Sequence, residues 1–109
     1  MQSAKYEFVT FEQLKERLNL SEPVAFDTET IGLYGKIRLA QFYQPHFDDV
    51  CLMIENPDPY LLVALLSHIT VICHNANYDI STIQENLGRQ AWIPDNIHCT
   101  FLLARLHFL

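Results

Sequence analysis

Two acidic side chains stand at the end of an apolar run early in the chain. The run Val24–Ile31 reads VAFDTETI, and its composition is typical of a short buried strand. Side chains two residues apart on a strand point to the same face, so Asp27 and Glu29 converge whereas Thr28 faces the other way. Two like charges placed together are stabilised by a cation, and hard oxygen ligands prefer Mg²⁺ or Mn²⁺. The pair therefore predicts a divalent metal site; the alternative is that both carboxylates simply face water.

A second polar cluster follows an apolar run in the second half of the chain. Residues 69–73 (ITVIC) are followed directly by 74–79 (HNANYD), which places Asp79 on the first turn of a helix. If this second run is a strand lying beside the first and parallel to it, Asp79 lies over the same sheet end as Asp27 and Glu29. The alternative is that Asp79 only stabilises the helix N-terminus, where a negative charge is favourable.

The elements that would position these carboxylates can be read from caps and periodicity. Thr10 and Gln13 form a capping box, Asp58 precedes a proline that suits the first helical position, and Gly88 is a helix stop. Short connections predict an antiparallel meander of the first three full strands. We expect an α/β fold, with strands at 6–9, 24–31, 37–43, 50–54 and 69–73 and helices at 11–19, 59–68, 77–87 and from Asp95 or Asn96 onward.

Size and composition set the limits on function. The chain has 109 residues and half of them are hydrophobic, which predicts a single domain, 1–109, with a true core. Its formal charge of −6 argues against a protein that coats nucleic acid with a basic face, but not against an enzyme that acts on nucleic acid through metal ions. No apolar run is long enough to cross a membrane, and the N-terminus lacks a signal-peptide pattern. A cytoplasmic protein without a membrane partner is the expectation.

The two acidic segments resemble a known superfamily. Val24–Thr30 resembles the first motif of the DEDD superfamily of 3′–5′ exonucleases, and His74–Asp79 resembles its second motif, an Asn followed four residues later by Asp. Ile37–Phe42 resembles the second strand of RNase D and of the proofreading domain of DNA polymerase I. The similarity extends over residues 24–106. It implies an RNase H-like fold and hydrolysis of nucleotides from the 3′ end of single-stranded DNA or RNA.

The resemblance also assigns residues to the site. It implies that Asp27, Glu29 and Asp79 are catalytic and hold two Mg²⁺ or Mn²⁺ ions, which activate the attacking water and stabilise the leaving oxygen. It further implies that the substrate is contacted by Thr28, Leu33, Tyr34, Asn75 and Tyr78.

The sequence departs from the superfamily pattern in its last third. The third motif, Tyr or His followed four residues later by Asp, is absent, because neither His98 nor His107 has such a partner. Cys99-Thr100 stands where related sequences often have Asp-Thr. We expect a truncated exonuclease domain that lacks the last strand and closing helix and has little activity alone. The alternative is a catalytically inactive exonuclease-like module that binds nucleic acid or a protein.

An unfinished sheet has a consequence for assembly. Without a further strand, the strand at residues 69–73 would be an exposed edge, and an apolar helix at Phe101–Leu109 would be uncovered. Both features favour association. We therefore expect a homodimer through the sheet edge or the C-terminal helix.

Overall fold

A six-stranded mixed sheet forms the centre of the protein. The computed structural model describes residues 5–32, 35–74, 76–88 and 97–99. The strands are β1 (Lys5–Phe8), β2 (Val24–Thr30), β3 (Ile37–Tyr43), β4 (Val50–Glu55), β5 (Val71–Cys73) and β6 (Ile97–Cys99). The helices are α1 (Phe11–Arg17), α2 (Pro59–Leu66) and α3 (Ala76–Asn86), and a short 3₁₀ turn, Pro45–Phe47, joins β3 to β4.

The strand order is β1-β4-β3-β2-β5-β6. β2, β3 and β4 form the predicted antiparallel meander, and β5 lies beside β2 and parallel to it. β1 adds to the far edge by pairing in parallel with β4. The expected α/β, RNase H-like sheet with flanking helices is confirmed. β5 pairs with Val24 and Ala25 at the start of β2, so its carboxyl end lies beside the middle of β2, close to Asp27.

The expectation that the sheet stops after residues 69–73 is wrong. β6 pairs in parallel with β5, so that β5 has a neighbour on each side. The helix predicted from Asp95 or Asn96 does not include Ile97–Cys99, because these three residues are a strand. The predicted exposed edge at β5 is therefore also wrong, and the edges of the described sheet are β1 and β6. The predicted helix Phe101–Leu109 lies outside the described residues.

The helix starts follow from local capping, as predicted. Thr10 Oγ1 accepts a hydrogen bond from the Gln13 backbone N–H at 3.1 Å, and Gln13 Oε1 accepts from the Thr10 N–H at 3.0 Å. Asp58 caps α2 by accepting from the Tyr60 N–H at 2.8 Å. Each cap satisfies backbone donors that the first helical turn leaves free. Gly88 follows α3 with a φ of +72°, which few other residues adopt.

The core lies on one face of the sheet. Leu14 of α1, Leu62 of α2 and Ile83 of α3 belong to a single buried cluster, whose β2 members are Val24 and Phe26. The alternate residues of β2 are exposed. We call these two sides the covered face and the open face. None of the helices in the described part of the chain is long and apolar enough to cross a membrane.

A bulge interrupts the pairing of β2 with β3. Glu29 pairs with Leu39, but Thr30 pairs with Ile37, so that Arg38 is the extra residue. Ile37 consequently turns into the core and is 1% exposed. Strict alternation along the strand would put Ile37 on the same face as Leu39, and the bulge puts it on the opposite face.

Candidate active site between β2 and the end of β5

The two carboxylates of β2 lie on the open face. Asp27 and Glu29 are both exposed, whereas Thr28 between them is 5% exposed and faces the helices. This is the arrangement that strand alternation predicted. A depression of about 460 Å³ contains Asp27, and a neighbouring one of about 450 Å³ contains both Asp27 and Glu29. Asp27 thus lies where the two depressions meet.

Asp79 reaches the same region from the first turn of α3. Its side chain is 3% exposed, and its Oδ1 accepts a hydrogen bond of 2.6 Å from the Thr28 hydroxyl. Burial raises the pKa of this carboxyl from its usual 3.8 to about 6; the Thr28 hydrogen bond opposes the rise and the charge of Asp27 adds to it. Asp79 is therefore a buried acid that titrates close to neutrality.

The larger depression brings part of the predicted site together. Its lining includes Asp27, Asp79, Tyr78 and His74, so the middle of β2, the residue after β5 and the start of α3 do converge. Glu29 lines the neighbouring depression with Asp27. Among residues 5–32, 35–74, 76–88 and 97–99, no three Asp, Glu, His or Cys side chains are close enough to hold a metal ion. That all three carboxylates contact common ions stays a prediction.

The donor set nevertheless fits a hard divalent cation. Asp27 offers carboxylate oxygens to solvent beside the carboxyl of Asp79, and Mg²⁺ binds to one or two carboxylates while it retains several waters. Asp79 is held against Thr28 on the covered side. A rotation of the Asp79 side chain away from Thr28 is the change that would add a second carboxylate to an ion at Asp27.

Tyr78 joins α3 to the end of β2. Its hydroxyl lies 2.8 Å from Thr30 Oγ1. Because the Thr30 hydroxyl donates its one hydrogen to the Gly32 carbonyl, Tyr78 is the donor in this pair. The half-buried ring also lines the larger depression. Tyr78 therefore anchors the helix and is available at the edge of the site.

The other predicted substrate contacts are Thr28, Leu33, Tyr34 and Asn75, of which the structure describes Thr28. Thr28 is buried and bonded to Asp79, so the geometry gives it the role of holding that carboxyl, and direct contact with substrate stays a prediction. Leu33, Tyr34 and Asn75 lie outside the described residues.

Sequence reasoning missed two neighbours of Asp27 on the open face. Gln41 is directly opposite Asp27 in the β2–β3 register, and both Gln41 and Cys51 line the larger depression. Burial raises the pKa of the Cys51 thiol, so this part of the lining is neutral and weakly polar. The alternation of β3 put Gln41 on a definite face, but only the register with β2 shows that it meets Asp27.

Comparison with known proteins places the whole chain in one group. A profile of the 3′–5′ exonuclease family matches residues 6–107. None of the curated proteins is significantly similar in sequence.

Among solved structures, the exonuclease domain of Nibbler from Aedes aegypti is 20% identical, with a TM-score of 0.63 over 93% of this chain and 55% of that chain. The EXD2 exonuclease domain soaked in Mg is 18% identical, with a TM-score of 0.66 over 94% of this chain and 59% of that chain. A second EXD2 structure, soaked in Mg and GMP, has a TM-score of 0.64 at 18% identity over the same shares.

These structural matches establish the shared fold. The chain spans somewhat more than half of the length of the solved domains that it matches. The family match, in contrast, runs through β1, both acidic segments and β6. The chain therefore belongs to the 3′–5′ exonuclease family.

Proposed function

We propose that this chain supplies the metal-binding carboxylates of a 3′–5′ exonuclease that hydrolyses nucleotides from the 3′ end of single-stranded DNA or RNA. The observation that carries the proposal is the meeting of Asp27 and Asp79 in one depression, where β5 ends beside the middle of β2. These are two of the three carboxylates that the exonuclease motifs assign to metal binding. The family match supports the class of reaction.

The three carboxylates would hold Mg²⁺ or Mn²⁺. A pair of such ions supplies an activated water and stabilises the leaving 3′ oxygen. Asp27 and Glu29 contribute from the open face, where they are free of steric cover. Asp79 contributes once it has lost its proton, because a protonated carboxyl is a poor ligand. The hydrogen bond from Thr28 holds the Asp79 carboxyl beside Asp27 while no ion is bound.

The charge of the site disfavours nucleic acid in the absence of cations. The chain carries a net charge of −6, and the exposed carboxylates of Asp27 and Glu29 repel a phosphodiester. Cations held by these carboxylates would reverse the local sign of the field. The Tyr78 ring at the edge of the depression offers a surface on which a terminal base or sugar can pack. The nucleic acid is therefore a metal-dependent ligand.

A second candidate function is a catalytically inactive module that keeps the exonuclease fold to bind nucleic acid or a protein. The placement of Asp79 favours it, because its buried carboxyl is held by Thr28 on the covered side. For either function we propose a cytoplasmic protein; Cys51 and Cys73 are thiols and not halves of a disulfide, which suits a reducing compartment.

Metal binding by the 109-residue chain tests the proposal. Mn²⁺ titration followed by water proton relaxation should show binding that Asp27→Asn weakens at least tenfold, because the substitution removes a charged ligand at the meeting point of the depressions. Asp48→Asn is the matched control: Asp48 is exposed and has a φ of +60°, which Asn tolerates. Equal Mn²⁺ affinities for the two variants would contradict the proposal.

Nucleotide release separates the two candidates. We expect the 109-residue chain to release few nucleotides from a 5′-labelled single strand with Mn²⁺, since a misplaced reacting group costs about 10²-fold in rate. A longer chain that supplies a downstream Tyr/His-x-x-x-Asp should be active, and Asp27→Asn should abolish that activity. Retained binding of the oligonucleotide without any release by the longer chain would favour the inactive module.

A further inference from the structure

The side chain of Asn86, in the last turn of α3, forms hydrogen bonds with Gly35, just before β3, and with Ile37, the first residue of β3. Its Oδ1 accepts a hydrogen bond from the Ile37 backbone N–H at 3.0 Å. Its Nδ2 donates to the Gly35 carbonyl at 2.9 Å and to the Thr82 carbonyl of its own helix at 2.8 Å. The half-buried amide thus uses its acceptor and both donors at once. Such a saturated side chain fixes the distance between α3 and the start of β3.

The backbone that Asn86 holds is the bulge of β3. Arg38 is the extra residue, Ile37 pairs with Thr30 on the far side of the bulge, and the Ile37 N–H donates to the Asn86 amide oxygen. The register shift lies between Glu29 and Thr30 on the opposite strand. A bulge bends its strand and changes the direction of the side chains beside it. Glu29 is the last residue of β2 before the shift, so its direction depends on the bulge.

We propose that Asn86 is a positioning residue for Glu29 and acts through the β2–β3 bulge. The inference rests on the proposed function, because it gives Glu29 a metal to bind. α3 then controls two carboxylates of the site: Asp79 directly, from its first turn, and Glu29 indirectly, from its last turn. A bland alternative is that Asn86 only fastens a surface turn and contributes to stability, with no effect on the site.

The structural consequence can be measured without metal. In Asn86→Ala, the Ile37 amide should exchange with solvent at least tenfold faster relative to the Phe42 amide, and the NMR contacts between Glu29 and Leu39 should shift or broaden. Leu87→Ala is the matched control, since it truncates the buried residue that directly follows α3 and removes none of the atoms that form the three Asn86 hydrogen bonds. Unchanged Glu29–Leu39 contacts in Asn86→Ala would overturn the inference.

The effect on the site is tested by a double-mutant cycle on Mn²⁺ affinity. Asn86→Ala should weaken binding about three- to tenfold, and Leu87→Ala should leave it within twofold at temperatures where both variants are folded. In a Glu29→Gln background, Asn86→Ala should add no further loss, because a residue that acts through Glu29 has nothing left to position. An equal loss in the two backgrounds would show that Asn86 does not act through Glu29.

Failure of the proposed function has a different signature. If wild-type protein, Asp27→Asn and Glu29→Gln all bind Mn²⁺ equally weakly, the carboxylates are not metal ligands and the proposed function is wrong. The positioning of Glu29 by Asn86 is then decided by the Glu29–Leu39 contacts alone, which either change in Asn86→Ala and support it or do not and refute it.

Discussion

The seven residues of β2 alternate between two faces that have different roles. On the covered face, Phe26 packs against Phe42 with ring centroids 5.2 Å apart, and helices exclude water. On the open face, Asp27 and Glu29 are exposed. Strand alternation thus separates the residues that stabilise the fold from those that could bind an ion. Substitutions on the first face should lower stability, whereas substitutions on the second should change function and leave the fold intact.

Asp79 belongs to both faces, which makes it the informative exception. It comes from a helix on the covered side and bonds to Thr28 there, yet it lines the depression that Asp27 shares. Burial on the covered side raises the pKa of Asp79, because it disfavours the charged carboxylate that a metal site would need.

The largest effect on stability is expected from the centre of the covered face. Phe42 is fully buried, and Phe42→Ala should lower the free energy of unfolding by about 3–5 kcal/mol through lost burial and a cavity. Urea unfolding followed by circular dichroism measures this difference. A loss below about 1 kcal/mol would mean that the two faces do not differ in the way described.

A smaller, pH-dependent effect is expected from Asp79→Asn. The folded-state pKa of Asp79 is raised from 3.8 to about 6, so the folded state holds this proton more tightly than the unfolded state. The group therefore costs stability above pH 6, by about 3 kcal/mol, and the cost disappears as pH falls from about 6 to below 4. Asp79→Asn should be more stable than wild type at pH 8 and equally stable near pH 3.5.

The measurement is the difference in unfolding free energy between Asp79→Asn and wild type across that pH range. Asp48→Asn serves as the exposed control and should show no comparable difference. A constant difference between Asp79→Asn and wild type from pH 3.5 to 8 would contradict a raised pKa as the cause.

The smallest effect on stability is expected from the open face. Phe8 on the edge strand β1 is 61% exposed, so Phe8→Ser should change the unfolding free energy by no more than about 0.5 kcal/mol. The homodimer was expected through the edge at residues 69–73 or through the C-terminal helix. If copies associate through the β1 edge instead, light scattering at high concentration should show association of wild type and less of it in Phe8→Ser. A monomer in both cases would remove the remaining basis for the homodimer.

Local chemistry made much of the fold predictable. The bounds of β3 were predicted without error, and the capping side chains of Thr10 and Asp58 identified two helix starts. The common face of Asp27 and Glu29 followed from alternation alone. Each of these features depends on residues within a few positions of one another.

The missed features depend on distant residues or on very short segments. β6 has three residues, too few for alternation to be visible against the apolar sequence that follows. The Thr28–Asp79 and Asn86–Ile37 hydrogen bonds join residues 51 and 49 positions apart. No periodicity encodes such pairs, so the buried state of Asp79 and the role proposed for Asn86 required the three-dimensional arrangement.

The place of β1 in the sheet has a consequence for synthesis of the chain. Of the six described strands, β1 leaves the ribosome first, but Lys5 pairs with Val50 and Phe8 with Met53. The β2–β3 hairpin, in contrast, closes a short loop and can form as soon as Tyr43 has emerged, and short loops close with the smaller entropy loss. During translation, β1 therefore remains unpaired until β4 has been synthesised and has paired with β3.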